Sequence, residues 1–385
     1  MQRNTISAYG NTKIRMKVAT SIVIGRTANP NLATQAVMQA MHKADITIAN
    51  SVLLLLSSEF ANNPQPAIRA AAKAGNCTQV FGCSAAGIFT EDDWVLDAPA
   101  AAAMVFSGDV GIQLAKSDIA QRAQQALLTL TAPNAINSTW LNDGHDRYGG
   151  VSGDVVGQGP FSVWQNSKGE SSGRVEAVFS GAKLASSASH GLKILTKPKK
   201  IQSTETFDIT LLDNKPPFFT LQKAWEADCK GKITAKDATL PLHLMMAVYA
   251  NSAEAIMTGE FSQTHLISYD EALGSVTLAQ ALQPGQFLCW GIRDSETAQN
   301  DLRQTTQTLL ANLDAKPDFG LLFSCIGRGP FYDGIDHDLN VITAALPKMP
   351  LLGFYGNGEI ARIGEHNQLL PYSAVLSLFA ALQTK

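Results

Sequence analysis

Aliphatic runs punctuated by glycine and serine set the rhythm of this chain. Residues 18–25 (VATSIVIG) predict a strand, being rich in β-branched side chains and stopping at glycine. Residues 33–43 place apolar positions at helical spacing among Ala, Met and Gln, which predicts a helix. Residues 52–56 are a five-residue aliphatic run flanked by serine, the pattern of a strand covered on both faces. A helix over 66–74 and a strand over 78–81, ending at Gly82, follow. A strand is expected within 97–112 (AAAAMVFSG) and a helix over 118–130. Strands and helices alternating through short connections indicate layered α and β structure, not a helical bundle.

Residues 137–205 change character. They are rich in Gly and Ser, hold Phe161, Trp164 and Phe179, and alternate apolar with polar residues around FSVW and RVEAVF, which predicts antiparallel strands and hairpins. Residues 207–230 read as a strand, a Pro-Pro break and a helix; 242–249 read as an apolar helix and 284–292 as a turn and strand. A long amphipathic helix is expected over 297–313, with Asp294 and Ser295 in its N-cap region. A strand at 319–324, a helix at 339–346 and a strand at 351–354 precede a final apolar segment, 372–380, readable as strand or short helix.

The two ends share a plan. SVLLLLSSEF leads through a helix to QVFGCSAAGIF, with Ser57 lying 25 residues before Gly82; FGLLFSCIGRG leads through a helix to PLLGFYGNGEI, with Ser324 lying 29 residues before Gly353. This implies an internal duplication and two related lobes. The expected fold is therefore α/β (α+β): two related lobes of layered mixed sheets and helices, with a ligand pocket between them.

Composition narrows the class. A chain of 385 residues exceeds one comfortable core, and its 45% hydrophobic content argues against disorder. Charged residues make up only 16% and the net charge is -3, so no basic footprint for nucleic acid is present. No apolar run approaches a membrane span, the opening residues lack a signal-peptide pattern, and five scattered cysteines read as reduced thiols. The expectation is a cytoplasmic protein.

Candidate chemistry concentrates in the Gly-rich turns. GCSAAG offers Gly82, Ser84 and Gly87; GGVSGD offers Gly150 and Asp154; IGRG and GFYGNGE offer Arg328, Gly356 and Glu359. Glycine there permits close approach of backbone to ligand, and open α/β sheets bind at the carboxyl ends of their strands, where Ser57 would also lie. Neither GxGxxG nor the phosphate-loop pattern occurs. Arg328 among glycines suits a carboxylate, or pairs with Glu359. Cys83 and Cys325 follow strand ends and would serve a thiol-dependent enzyme only with a lowered pKa; small buried packing is the plainer reading. His190, between a Ser/Ala stretch and a glycine, and His243, beside Met245 and Met246, are the histidines placed to ligate a metal or haem, as against satisfied structural roles.

The motifs FSCIGRG, PLLGFYGNGEIA and WGIRDSETAQNDLRQ, with VFGCSAAGIF, GGVSGDVV and RVEAVFSGAKL in the front half, resemble the FIST family over residues 18–379. The resemblance implies a FIST N-type lobe over 18–230 and a FIST C-type lobe over 231–385. It implies a cytoplasmic ligand-binding sensor that signals to a separate partner, a histidine kinase or cyclic-di-GMP enzyme; neither nucleic acid nor membrane is expected as a partner, and a homo-oligomer is open. Standalone bacterial members of this size are similar to sensors that bind haem b and detect nitric oxide. Where many relatives carry an SQG step this chain has Ser189-His190-Gly191, which makes His190 the leading iron ligand and His243 the alternative. An amino acid or other small carboxylate is the alternative ligand.

Overall fold

The computed structural model describes residues 16–115, 125–229 and 240–382. The front unit runs β1 (Lys17–Ile24), α1 (Asn31–Ala44), β2 (Ser51–Ser57), α2 (Gln65–Gly75), β3 (Val80–Ala85), the hairpin β4 (Gly87–Thr90) and β5 (Trp94–Leu96), and β6 (Ala100–Ser107). Next come β7 (Gly111–Leu114), β8 (Leu127–Thr131), α3 (Ser138–Leu141), β9 (Arg147–Val151), β10 (Val163–Gln165), β11 (Lys168–Gly169) and β12 (Arg174–Ser180).

A second unit starts with β13 (Ala182–Ser189) and is interrupted by β14 (Leu192–Ile194), β15 (Lys199–Glu205), β16 (Asp208–Leu212), α4 (Pro217–Cys229), β17 (Met245–Ala250), α5 (Ala253–Thr258), β18 (Ser262–Asp270), β19 (Ser275–Leu278) and β20 (Phe287–Arg293). It resumes with α6 (Ser295–Leu313), β21 (Phe319–Cys325), α7 (His337–Ala345), β22 (Leu351–Gly356), the hairpin β23 (Glu359–Ile363) and β24 (His366–Leu370), and β25 (Ala374–Ala381).

The strand orders carry the duplication. One sheet runs β1-β6-β2-β3 and another β13-β25-β21-β22, each with a single parallel pair, β2 with β3 and β21 with β22. Each unit ends in a hairpin before its last strand, and each hairpin leaves its own unit. β4 pairs with β22 in the second unit's sheet, and β23 pairs with β9 in a third sheet, β24-β23-β9-β8-β12-β7. Register refines the sequence comparison by one residue. Leu54 faces Gly82 and Leu322 faces Gly353, so Ser57 corresponds to Cys325 and not to Ser324.

The layers follow from strands buried on both faces. In β2, Leu53 and Leu55 face a central core shared with Phe323 and Phe354 of the second unit, while Val52, Leu54 and Leu56 face α1 and α2. β21 and β22 bury their outer face against α6 and α7. The inserted seven strands form their own core with α4. Among the described residues no helix is long and apolar enough to cross a membrane.

Several expectations need correction. Gly82 does not end a strand: β3 continues to Ala85, and the position inside it requires glycine because a β-carbon there would sit 1.7 Å from the Leu54 carbonyl oxygen. The apolar segment 242–249 is not a helix. A 3-10 turn at Leu242–Leu244 leads into β17, whose pairing with both β18 and β20 outweighs its helical composition. Of the helix expected at 118–130, residues 118–124 lie outside the described residues and Leu127–Thr131 is strand. The last segment is strand β25.

Candidate ligand site at the strand ends

Three strands, β3, β9 and β22, each the second member of a parallel pair, bring their carboxyl ends together. Gly356 closes β22 with its β-carbon position 2.3 Å from the Val151 carbonyl oxygen, a distance only glycine allows. Gly150 lies opposite Glu359 across β9 and β23, and the Ala86 N–H just before Gly87 donates to the Tyr355 carbonyl at 3.2 Å. Ser152 Oγ donates to the Ser84 carbonyl at 2.6 Å, and Ser84 Oγ accepts from the Ser162 N–H at 3.0 Å. Ser84, Gly87, Gly150, Cys325, Gly356 and Glu359 thus lie on adjoining strands and turns, Cys325 opposite Gly356 across β21 and β22.

Other residues read from the sequence have local duties. Ser57 Oγ accepts the Ala100 N–H at 2.8 Å and fixes the start of β6. The Asp154 carboxylate accepts from the Gly157 N–H and, at 2.8 Å, from the Gly159 N–H, closing its own loop. Arg328 is 1% exposed and does not present its guanidinium to a ligand. Its Nε donates to Asp338 at 2.8 Å, Nη1 to the Ser189 carbonyl at 2.8 Å, and Nη2 to Ser189 Oγ at 2.8 Å and the Ala298 carbonyl at 3.0 Å. It is a hub joining β13, α6 and α7. The expected Arg328–Glu359 ion pair does not form; Arg328 pairs with Asp338 instead.

Glu359 is 1% exposed, and its Oε2 has no hydrogen-bond partner among the described residues. Burial raises its pKa well above the usual carboxylate range; the Arg328 charge and the Ser373 N–H offset this only in part. Beside it, burial pushes the Cys325 thiol up to about 12, Glu359 adding to the effect, although the N–H groups of Gly327 and Tyr372 favour the thiolate. Burial raises Cys83 further. Neither sulfur is poised as a nucleophile.

His190 follows β13 with its ring centroid 4.5 Å from that of Phe261. Burial lowers its pKa to about 4, so the imidazole is neutral at pH 7, and its enclosed Nδ1 has no hydrogen-bond partner among the described residues. The turn after it is tight: a β-carbon on Gly191 would lie 2.6 Å from Arg328 Nη1 and 2.9 Å from Ala298 Cβ. His243 is exposed in its 3-10 turn, not on the expected apolar helix. Among the described residues no group of three or more His, Cys, Asp or Glu side chains is placed to hold a metal ion.

Sequence reasoning missed the groups that complete the site. Arg293, ending β20, is 5% exposed. Its Nη1 donates to the Gly327 carbonyl at 3.1 Å and Nη2 to the His243 carbonyl at 2.5 Å. The guanidinium carbon lies 3.8 Å from the Tyr372 ring centroid and 4.7 Å from that of Phe331, while Nε has no hydrogen-bond partner among the described residues. Gln263 of β18 donates Nε2 to the Pro371 carbonyl and, at 3.4 Å, to Ser373 Oγ, leaving Oε1 without a partner among the described residues. Tyr372 Oη lies 3.4 Å from His265 Nδ1. Arg293, Gln263 and Glu359 therefore each hold a buried, unpartnered polar atom around Tyr372–Ser373. Buried polar atoms are almost always partnered, so these three, all next to Tyr372–Ser373, are the candidates for contact with a ligand. The signal for Arg293 was its position between strand and helix in WGIRDSE; Gln263 and Tyr372 gave none.

Two family domains match the chain. Residues 50–215 match the FIST N domain and residues 227–362 the FIST C domain. An uncharacterized protein of Mycobacterium tuberculosis (strain ATCC 25618 / H37Rv), Rv0628c, is 25% identical over 384 residues, covering 93% of this chain and 99% of the relative. An uncharacterized protein of Mycobacterium bovis, Mb0898c, is 28% identical over 234 residues, 60% of this chain and 59% of the relative.

Proposed function

The chain belongs to the FIST family, whose domains are associated with signal-transduction sensors, and from that premise we propose that its ligand is an amino acid or a similar small carboxylate bearing a cationic group. The observation that carries this reading is the trio of unpartnered atoms: one donor, Arg293 Nε, and two acceptor-bearing groups, Gln263 Oε1 and Glu359 Oε2. Arg293 would take a carboxylate oxygen, and Gln263 with Glu359 an ammonium. An ammonium beside Glu359 favours its ionised form, so binding expels a proton. Affinity then rises with pH until Glu359 is ionised in the free protein as well.

The same contacts suggest how occupancy is relayed. Arg293 holds the Gly327 carbonyl, and the next residue, Arg328, anchors α6, α7 and β13. A ligand that shifts Arg293 biases this hub, and with it the surface of α6 that a partner would read. A histidine kinase or cyclic-di-GMP enzyme is the class of partner the family resemblance implies.

Calorimetry with a panel of amino acids and short carboxylates tests the proposal. At least one should bind saturably, and Arg293→Lys and Gln263→Leu should each weaken it about tenfold or more, the scale of losing a hydrogen bond to a charged group. No binding across the panel, or affinity unchanged in both variants, would overturn it.

A further inference from the structure

We infer that residues 329–335, between β21 and α7, form a flap that swings away from Arg293 to admit a ligand and closes over it again. The inference rests on the proposed reading of Arg293 as a ligand contact, but its test needs no known ligand.

The guanidinium of Arg293 is closed off in this structure. Tyr372 covers one part of it at 3.8 Å and Phe331 another at 4.7 Å, while the Gly327 and His243 carbonyls accept from Nη1 and Nη2. Nε is enclosed as well, so a ligand reaches it only when a wall withdraws. Three of the walls are held. Tyr372 sits between Pro371 and Ser373, both of which accept from Gln263. Gly327 adjoins buried Arg328, and its β-carbon position lies 2.3 Å from the Tyr372 ring. The turn holding His243 leads directly into β17, paired on both sides. Phe331 differs: its side chain is 47% exposed.

The segment that carries Phe331 is fixed at its ends and loose between them. Before it stands Arg328 with its four hydrogen bonds. After it stands buried Asp336, which accepts from the Tyr355 hydroxyl and, at 3.0 Å, from the Leu339 N–H. In between, Phe331, Asp333, Gly334 and Ile335 are exposed and Tyr332 is half-buried. The hydrogen bonds there are local: the Phe331 N–H to the Arg328 carbonyl at 3.2 Å, the Gly334 N–H to the Pro330 carbonyl at 2.8 Å, and Asp333 with His337 at 2.8 Å. Gly329 and Gly334 bracket the segment at φ +55° and +78°. Glycine passes between positive and negative φ without steric cost, so the backbone can turn at both. A β-carbon at Gly334 would meet nothing within 4 Å, so glycine serves the backbone there and not the packing. The Phe331 ring on the Arg293 cation is the contact that shuts the flap, and it is weak enough to open locally without unfolding.

The test is labelling of Arg293 in the intact protein by phenylglyoxal, an arginine-selective reagent, with the modified peptide quantified by mass spectrometry. Phe331→Ala should label about fivefold faster than the natural chain, the scale of one lost cation–π contact. Phe331→Trp strengthens that contact and should label more slowly. Gly334→Ala leaves the cover in place but disfavours the closed backbone, so it too should speed labelling while the unfolding transition stays cooperative. If Gly334→Ala and Phe331→Trp both label at the natural rate, the flap is overturned. If labelling shifts as expected while no member of the amino-acid panel binds, the flap stands and the proposed ligand falls.

Discussion

Replacing Arg328 with alanine is expected to cost stability, not ligand affinity alone. The guanidinium makes four hydrogen bonds to groups of three different elements, and its partner Asp338 is only 2% exposed. Breaking a buried pair by removing one member leaves an uncompensated charge and costs about 3–5 kcal/mol. The Ser189 and Ala298 carbonyls also lose their donor, at about 1–3 kcal/mol each if nothing replaces it, though such losses do not add fully. A total near 5 kcal/mol is a large part of the roughly 5–15 kcal/mol typical of a folded domain. The assay is urea denaturation followed by tryptophan fluorescence, on Arg328→Ala, Asp338→Asn and the double variant. The double variant should recover at least about 1 kcal/mol relative to the sum of the single losses, because the neutral amide introduced by Asp338→Asn no longer needs a cation. A loss below about 1 kcal/mol in Arg328→Ala, accompanied by loss of ligand binding, would refute the reasoning and return Arg328 to the role of ligand clamp.

Other expectations follow from the same geometry. Gly82→Ala and Gly353→Ala place a β-carbon 1.7 Å and 2.1 Å from the Leu54 and Leu322 carbonyl oxygens. Both should therefore lose several kcal/mol, about 3 or more, or fail to accumulate as folded protein, and wild-type stability in either would contradict the matched strand pairs. Cys325, with its thiol pushed up to about 12, should resist iodoacetamide at pH 7 in the folded state and react on unfolding, as mass spectrometry of the labelled peptides would show. Rapid labelling of the folded protein would contradict that. Burial raises Asp336 to about 6, above its ordinary 3.8, so its contribution to stability is greatest below pH 4 and declines as pH rises through 6. That decline amounts to about 3 kcal/mol. Asp336→Asn keeps the N-cap of α7 and should flatten the pH 4–6 limb of the stability profile; an unchanged limb would count against this assignment.

How much of this was legible beforehand depended on whether the information was local. Strands such as 52–56 and 319–324 announced themselves because both faces are buried and every position is apolar or small. The long helix beginning after Asp294 did so through its cap, whose carboxylate accepts the Thr297 N–H at 2.8 Å. The pairing of strands did not show. That β4 joins β22, or β23 joins β9, is decided by the exchange of hairpins between units and leaves no periodic trace. Residues 245–250 misled because a segment between two partner strands is buried on both faces and loses the alternation that marks a strand. The site was half visible. Glycine turns flagged Gly150, Gly356 and Glu359, but Arg293 and Tyr372 meet only through folding, 79 positions apart in the sequence. Arg328 misled for a related reason: a lone arginine among glycines looks free until Asp338 and Ser189 are found around it.

The most direct test of the central claim is the structure of the protein with the tightest-binding member of the amino-acid and carboxylate panel. The account predicts ligand density against Tyr372, with a carboxylate oxygen within hydrogen-bond reach of Arg293 Nε and a donor facing Gln263 Oε1 and Glu359. Density elsewhere, with those three atoms still unpartnered, would contradict it.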